Sequence, residues 1–146
     1  MVHKNIKLRV KNLVNKTGTA NPIEIASMLR IPIVYTSLPD KIKGYLVRPV
    51  RRKTIVINDS LDDREAYIVV AHELGHAMLH GATNSFHADT ASFTRSRDEY
   101  EANLFALYLL SYSFDIDERL LQAAPGTRDV IPAPEAHRLL CRCLDW

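Results

Sequence analysis

His72-Glu73-Leu74-Gly75-His76 decides how this chain reads. The stretch has the form H-E-x-x-H. Histidines four residues apart on an α-helix project from one face, so both imidazoles can reach one metal ion. The glutamate after the first histidine sits about 100° further round the helix, where it can face a water held at that ion. A chain of this composition produces the pattern by chance about once in a hundred, so the flanking residues must carry the reading. Asp62 or Asp63 can cap the run from Arg64 to His80 and complement its positive end. Tyr67, Val70, Ala71, Leu74 and Met78 recur at helical spacing, which predicts an amphipathic helix with the histidines at the edge of its buried side. Gly75 inside that helix costs about 1 kcal/mol relative to Ala, which points to close packing against another element. Gly81 is a natural stop.

Two histidines do not complete a catalytic zinc site, which ordinarily takes three protein ligands and leaves one position open. The segment Arg97 to Leu110 reads as a second helix, with Ser96 or Asp98 as its cap. Glu99, Ala102, Asn103 and Ala106 share one face, and the small alanines would let this helix pack tightly on the first. Glu101 shares another face with Leu104, Phe105 and Tyr108. Glu99 is therefore the preferred third ligand and Glu101 the alternative. A role in complementing the helix dipole accounts for whichever acid is not used. His80 suits packing, or a hydrogen bond to a ligand, better than ligation.

The run His72 to His80, followed by Glu99-Tyr100-Glu101-Ala102-Asn103-Leu104-Phe105-Ala106, resembles the ImmA/IrrE family of metallopeptidases. That family pairs HExxH-xx-LH with a downstream ExEANxFA helix. The resemblance implies an α+β, minimal zincin-like fold: a small three-stranded sheet packed on the HExxH helix, with further helices. It implies a zinc-dependent endopeptidase with one Zn2+ per chain, held by His72, His76 and Glu99, and Glu73 as general base. The gluzincin pattern of Glu followed four residues later by Asp or Asn fits Glu99 and Asn103, and Asn103 would orient a ligand. The implied substrate is a helix-turn-helix transcriptional repressor of the Xre type, in a stress or mobile-element switch. The alternative is an antirepressor or toxin–antitoxin component that binds a repressor without cutting it. The intact Glu73 argues against that, because a purely binding protein has no chemical need for a general base. The chain departs from the family after Leu110, where Ser111-Tyr112-Ser113-Phe114 follows, so its C-terminal segment is the least transferable part.

Composition agrees with this reading. At 146 residues, 47% hydrophobic and 25% charged, the sequence suits a single domain spanning 1–146 with a real core. A net charge of +2 is too small to argue for direct nucleic-acid binding or an anionic membrane. No apolar run approaches bilayer length. The start, Met1-Val2-His3-Lys4-Asn5, lacks the apolar core of a secretory signal, so a cytoplasmic location is expected. Cys141 and Cys143 are too sparse for a disulfide framework and are expected to be free thiols.

The remaining layout follows from periodicity. Asn5 to Asn15 and a Pro-initiated segment from Asn21 to about Leu29 are predicted helices. Ile31 to Thr36, Ile42 to Val50 and Thr54 to Asn58 are predicted strands, the last two forming a hairpin. Either Gly44 to Val47 or Thr54 to Ile57 is open to pair with an extended substrate. Ala82 to Ser96 reads as a long loop bordering the cleft, with His87 a solvent-exposed residue. Asp115 to Ala123 and Pro134 to Leu144 are the last expected helices.

Overall fold

Local side chains start and stop the helices. The computed structural model describes residues 5–48, 52–80 and 92–112, of which 92–96 as backbone alone. Helix α1 (Ile6–Thr17) begins at Asn5, whose side chain accepts the Leu8 amide at 3.0 Å, and ends at Gly18 in the left-handed conformation. Ile6, Val10 and Leu13 are buried while Lys7, Lys11 and Lys16 stay exposed, as the 3.6-residue period requires. Helix α2 (Pro22–Met28) is capped by Asn21, which accepts the Ile23 and Glu24 amides. Proline at its first turn forfeits no intrahelical bond.

Three short strands follow: β1 (Ile33–Thr36), β2 (Gly44–Val47) and β3 (Thr54–Asn58). The sheet order is β1-β3-β2. β1 runs parallel to β3, with Ile33 opposite Ile55, and β2 runs antiparallel to it, with Gly44 opposite Ile57. The expected pairing of the last two strands is therefore present, and β3 is the central strand. Its β-branched run Ile55-Val56-Ile57 is buried, consistent with neighbours on both sides.

Helix α3 (Asp63–Leu79) carries the HExxH run. Asp62 accepts the Glu65 amide at 2.7 Å and the Glu65 carboxylate reaches back to the Asp62 amide, a reciprocal capping box. The expectation of an amphipathic helix is corrected here, because α3 is buried almost all round from Ala66 to Leu79. It lies against α2, β2, β3 and α4, so no face is left for solvent over most of its length. Met78, expected in the apolar stripe, is exposed and lines a shallow recess with Leu29, Ile31 and Lys53.

Helix α4 (Ser92–Leu110) starts earlier than the Ser96 or Asp98 cap expected from sequence. The intervening residues 92–96 hold no Gly or Pro to stop a helix, so the polar run continues it instead of forming loop. Gly75 explains how closely α3 and α4 approach. A Cβ at that position would meet the Ala102 carbonyl oxygen at 3.0 Å, and Ala102 Cα and Phe105 Cβ at 3.1 Å. Small residues on both helices bring the backbones together, and that proximity sets the two helices' polar side chains against one another.

The described residues thus form an α+β unit: a three-stranded mixed sheet and four helices. Among them no helix is long and apolar enough to cross a membrane. His87, both cysteines and the helices expected at 115–123 and 134–144 lie outside the described residues.

Candidate metal centre

The α3–α4 seam is apolar except at one end, where it gathers three histidines and several acids. His72 and His76 are 4% and 7% exposed and lie one helical turn apart. Their rings stand nearly perpendicular, with centroids 4.9 Å apart. From α4, Glu99 spans the two imidazoles: one carboxylate oxygen is 3.1 Å from His72 Nε2 and the other 3.0 Å from His76 Nε2. Glu73 is buried on the same helix, and His72, Glu73 and His76 offer ligand atoms within 4.8 Å of one another. The four residues expected to form the site are therefore brought together. Glu101, the alternative ligand, is not with them; its carboxylate lies 3.1 Å from His80 Nε2.

The electrostatics follow from crowding these groups in a buried seam. Burial pushes the Glu99 carboxyl upward, but the two imidazoles that hydrogen-bond it outweigh this and hold it well below the usual carboxylate range. Burial raises the Glu73 pKa and the neighbouring Glu99 charge adds to it; the two histidines only partly offset this. Burial alone would lower the His72 pKa. Glu99, Glu73 and the Asn103 carboxamide together reverse it, so the net shift is upward.

The donor set fits a divalent transition metal. Two imidazole nitrogens and a carboxylate are the ligands of catalytic zinc sites. Two donors about 2.1 Å from one ion, at the tetrahedral angle, stand about 3.4 Å apart. The nitrogen–oxygen separations of 3.0 and 3.1 Å here need to open by only a few tenths of an ångström.

Two cations hold the C-terminal end of α3, and sequence reasoning did not single them out for this. Arg48 Nη2 donates to the His76 carbonyl at 3.0 Å and Lys53 Nζ to the Ala77 carbonyl at 2.6 Å. The His76 carbonyl also accepts the His80 amide at 3.0 Å, and both oxygens lie in the last turn, where cations complement the negative end of the helix dipole. Only a basic residue flanking each hairpin strand signalled them. They tie the sheet to the turn that carries His76.

An open cleft of about 560 Å3 lies in front of Glu73 and Glu99, bounded by Asp40 to Gly44, Val69 and His72. Asn58 shapes its wall. This buried side chain donates to the carbonyls of Leu38, Pro39 and Ile42 at 3.2, 3.3 and 2.9 Å, and it accepts from Ser60. Gly44 is required where β2 enters the sheet, because a Cβ there would meet the Val56 carbonyl oxygen and Val69 Cγ1 at 2.8 Å.

A helix-borne pair of histidines, a buried glutamate beside them, a bridging carboxylate and a cleft alongside define a metallopeptidase. The chain belongs to the family of IrrE N-terminal-like domains, whose profile matches residues 26–131. It is similar to Metallopeptidase ImmA of Bacillus subtilis (strain 168), at 32% identity over 80% of this chain and 69% of that protein. It is also similar to an uncharacterized immunity region protein of Bacillus phage phi105, at 41% identity over 72% of this chain and 67% of the relative. The resemblance read from the two motifs and the enzymatic class it implied are both borne out.

Proposed function

We propose that the chain is a zinc-dependent endopeptidase with one Zn2+ held by His72, His76 and Glu99, and with Glu73 as its general base. The observation that carries this reading is the placement of the Glu99 carboxylate across both Nε2 atoms, with Glu73 beside them at the cleft. When bound, the ion would supply Lewis acidity that activates water and polarises a scissile carbonyl. Glu73 takes the proton from the attacking water and returns it to the leaving amine. Its burial raises the basicity of the carboxylate, which favours its taking that proton. Asn103, buried one turn beyond Glu99, is assigned to orienting a ligand. The strip from Lys41 to Gly44, leading into β2, is where an extended substrate backbone lies across the cleft.

The substrate we propose is an Xre-type helix-turn-helix repressor, cut in a stress or mobile-element switch. The similarity to ImmA and to a phage immunity region protein supports that setting. Such a substrate places the reaction in the cytoplasm and requires no nucleic-acid contact by this chain. The zincin-like architecture and the single domain are part of the same reading. An antirepressor that binds without cutting has no use for a buried Glu73.

Elemental analysis of wild type, Glu99→Ala and Glu101→Ala after mild dialysis tests the centre. About one zinc per chain, lost selectively in Glu99→Ala, is expected; selective loss in Glu101→Ala would move the third ligand. Chelator-sensitive cleavage of a candidate repressor tests the activity. Binding without cleavage by the zinc-loaded chain would favour the antirepressor.

A further inference from the structure

His80 is buried one turn beyond His76 and takes no part in the centre described above, yet it touches that centre directly. Its Nδ1 lies 3.0 Å from His76 Nδ1. On its other side, His80 Nε2 lies 3.1 Å from a Glu101 oxygen and 3.4 Å from an Asp98 oxygen. His76 and Glu101 are each 7% exposed, so bulk water does not compete for these contacts.

A cation held by His72, His76 and Glu99 fixes the direction of this chain of contacts, because His76 Nε2 must then present a lone pair. Two imidazole nitrogens 3.0 Å apart share one proton: one donates and the other accepts. A carboxylate only accepts, so the nitrogen facing Glu101 and Asp98 is the one that carries hydrogen. A neutral His80 with its proton on Nε2 has a lone pair on Nδ1, and His76 must then donate from its own Nδ1. That presents the His76 Nε2 lone pair to the space a cation would take, where the ion replaces the hydrogen that Nε2 gives Glu99 in the metal-free chain. The reverse polarity would aim the bare lone pair of His80 Nε2 at two carboxylates.

We propose that His80, held by Glu101 with Asp98 behind it, is a positioning residue that fixes the tautomer and ring orientation of His76 for metal binding. The inference rests on His76 being a ligand, as proposed above. It also decides what the cluster of His80, Asp98 and Glu101 does. These three residues place ligand atoms within 4.8 Å of one another and resemble a second cation site. An ion there needs the lone pair of His80 Nε2, which moves the proton to His80 Nδ1 and, through the shared contact, puts a proton on His76 Nε2. With neutral imidazoles the two sites exclude each other. The carboxylates of Glu101 and Asp98 serve the first site by accepting hydrogen from His80.

The test is zinc affinity of the full chain, measured at pH 7.5 by competition with a chromogenic chelator, alongside thermal unfolding of each metal-free protein. His80→Phe keeps the ring and removes the acceptor, and should weaken zinc binding about 10- to 100-fold. His80→Asn, whose carboxamide oxygen can stand near the lost Nδ1, should recover most of that loss, which a purely packing role would not predict. Long-range 1H–15N spectra of zinc-loaded wild type should show His80 protonated at Nε2, a readout that needs no variant to fold. Zinc bound by wild type with unchanged affinity in His80→Phe would overturn the inference and leave the centre standing. So would His80 protonated at Nδ1, or two zinc ions per wild-type chain. Wild type that takes up no zinc would overturn the centre itself and the inference with it.

Discussion

Gly75→Ala separates the packing of the metal helix from its chemistry. The added methyl would stand 3.0 to 3.1 Å from the Ala102 backbone and Phe105 Cβ. Carbon atoms in ordinary contact sit about 3.5 to 4.0 Å apart, so α4 must retreat by roughly 0.5 Å. The obstructing atoms are backbone and Cβ, so no rotamer change relieves them. Glu99 rides on the same helix one turn before Ala102, and metal–ligand distances hold to about 0.2 Å. Forcing α4 back for coordination costs what overpacking costs, about 1 to 3 kcal/mol. Zinc affinity should therefore fall about 5- to 150-fold. The metal-free protein can relax, and its helix gains about 1 kcal/mol from losing glycine, so its stability should range from unchanged to about 2 kcal/mol lower. Chelator competition and denaturant unfolding read the two effects separately. Wild-type zinc affinity together with a full 1 kcal/mol gain in metal-free stability would refute the close approach of α3 and α4.

Glu73→Gln should retain zinc and lose about 10²- to 10⁴-fold in turnover, the usual contribution of a general base; full activity in the metal-replete variant would remove Glu73 from that role. Asn58→Asp is nearly isosteric but turns the group facing three carbonyls from donor to acceptor. It should cost about 1 to 3 kcal/mol of stability and raise KM more than it lowers kcat, and an unchanged unfolding midpoint would show that Asn58 does not hold the cleft wall. Protons compete with the ion for His72, whose pKa Glu99, Glu73 and Asn103 raise against the effect of burial. Zinc affinity should keep rising with pH beyond about 7.5, one unit above the ordinary histidine value, where proton competition at an unshifted histidine has ended. A plateau reached by about pH 7.5 would show that the upward shift is absent.

What could be read in the sequence was whatever has a short-range cause. Asn5, Asn21 and Asp62 cap their helices through contacts two or three residues away. Thr54 to Asn58 stands as a strand with the bounds expected from its β-branched run. The H-E-x-x-H spacing placed His72, Glu73 and His76, and Gly75 announced close packing. Features that depend on distant partners were not legible. Periodicity assigned α3 a solvent side, because it could not anticipate a sheet, α2 and α4 closing around one helix. Met78, in the last turn of α3, was misread in the opposite sense and is exposed. Nothing local marks Arg48 and Lys53 as partners of carbonyls more than twenty residues away. The early start of α4 was missed because a polar stretch without Gly or Pro reads equally well as loop or helix.

Glu99 and Glu101 show why composition alone could not divide the site's labour. Two residues apart on a helix, they point about 200° apart, and an isolated helix cannot present both to one partner. Here α4 lies so close to α3 that Glu99 reaches His72 and His76 while Glu101 reaches His80, one turn further along. Buried imidazoles left without partners would cost about 1 to 3 kcal/mol each, so the acids stabilise the seam before any ion arrives. The same placement limits the rearrangement that coordination requires, since Glu99 already spans both Nε2 atoms. Removing either acid should therefore affect different equilibria. Loss of Glu99 takes away a ligand and the partner of two histidines. Loss of Glu101 leaves the ligands in place but releases the proton arrangement that presents His76.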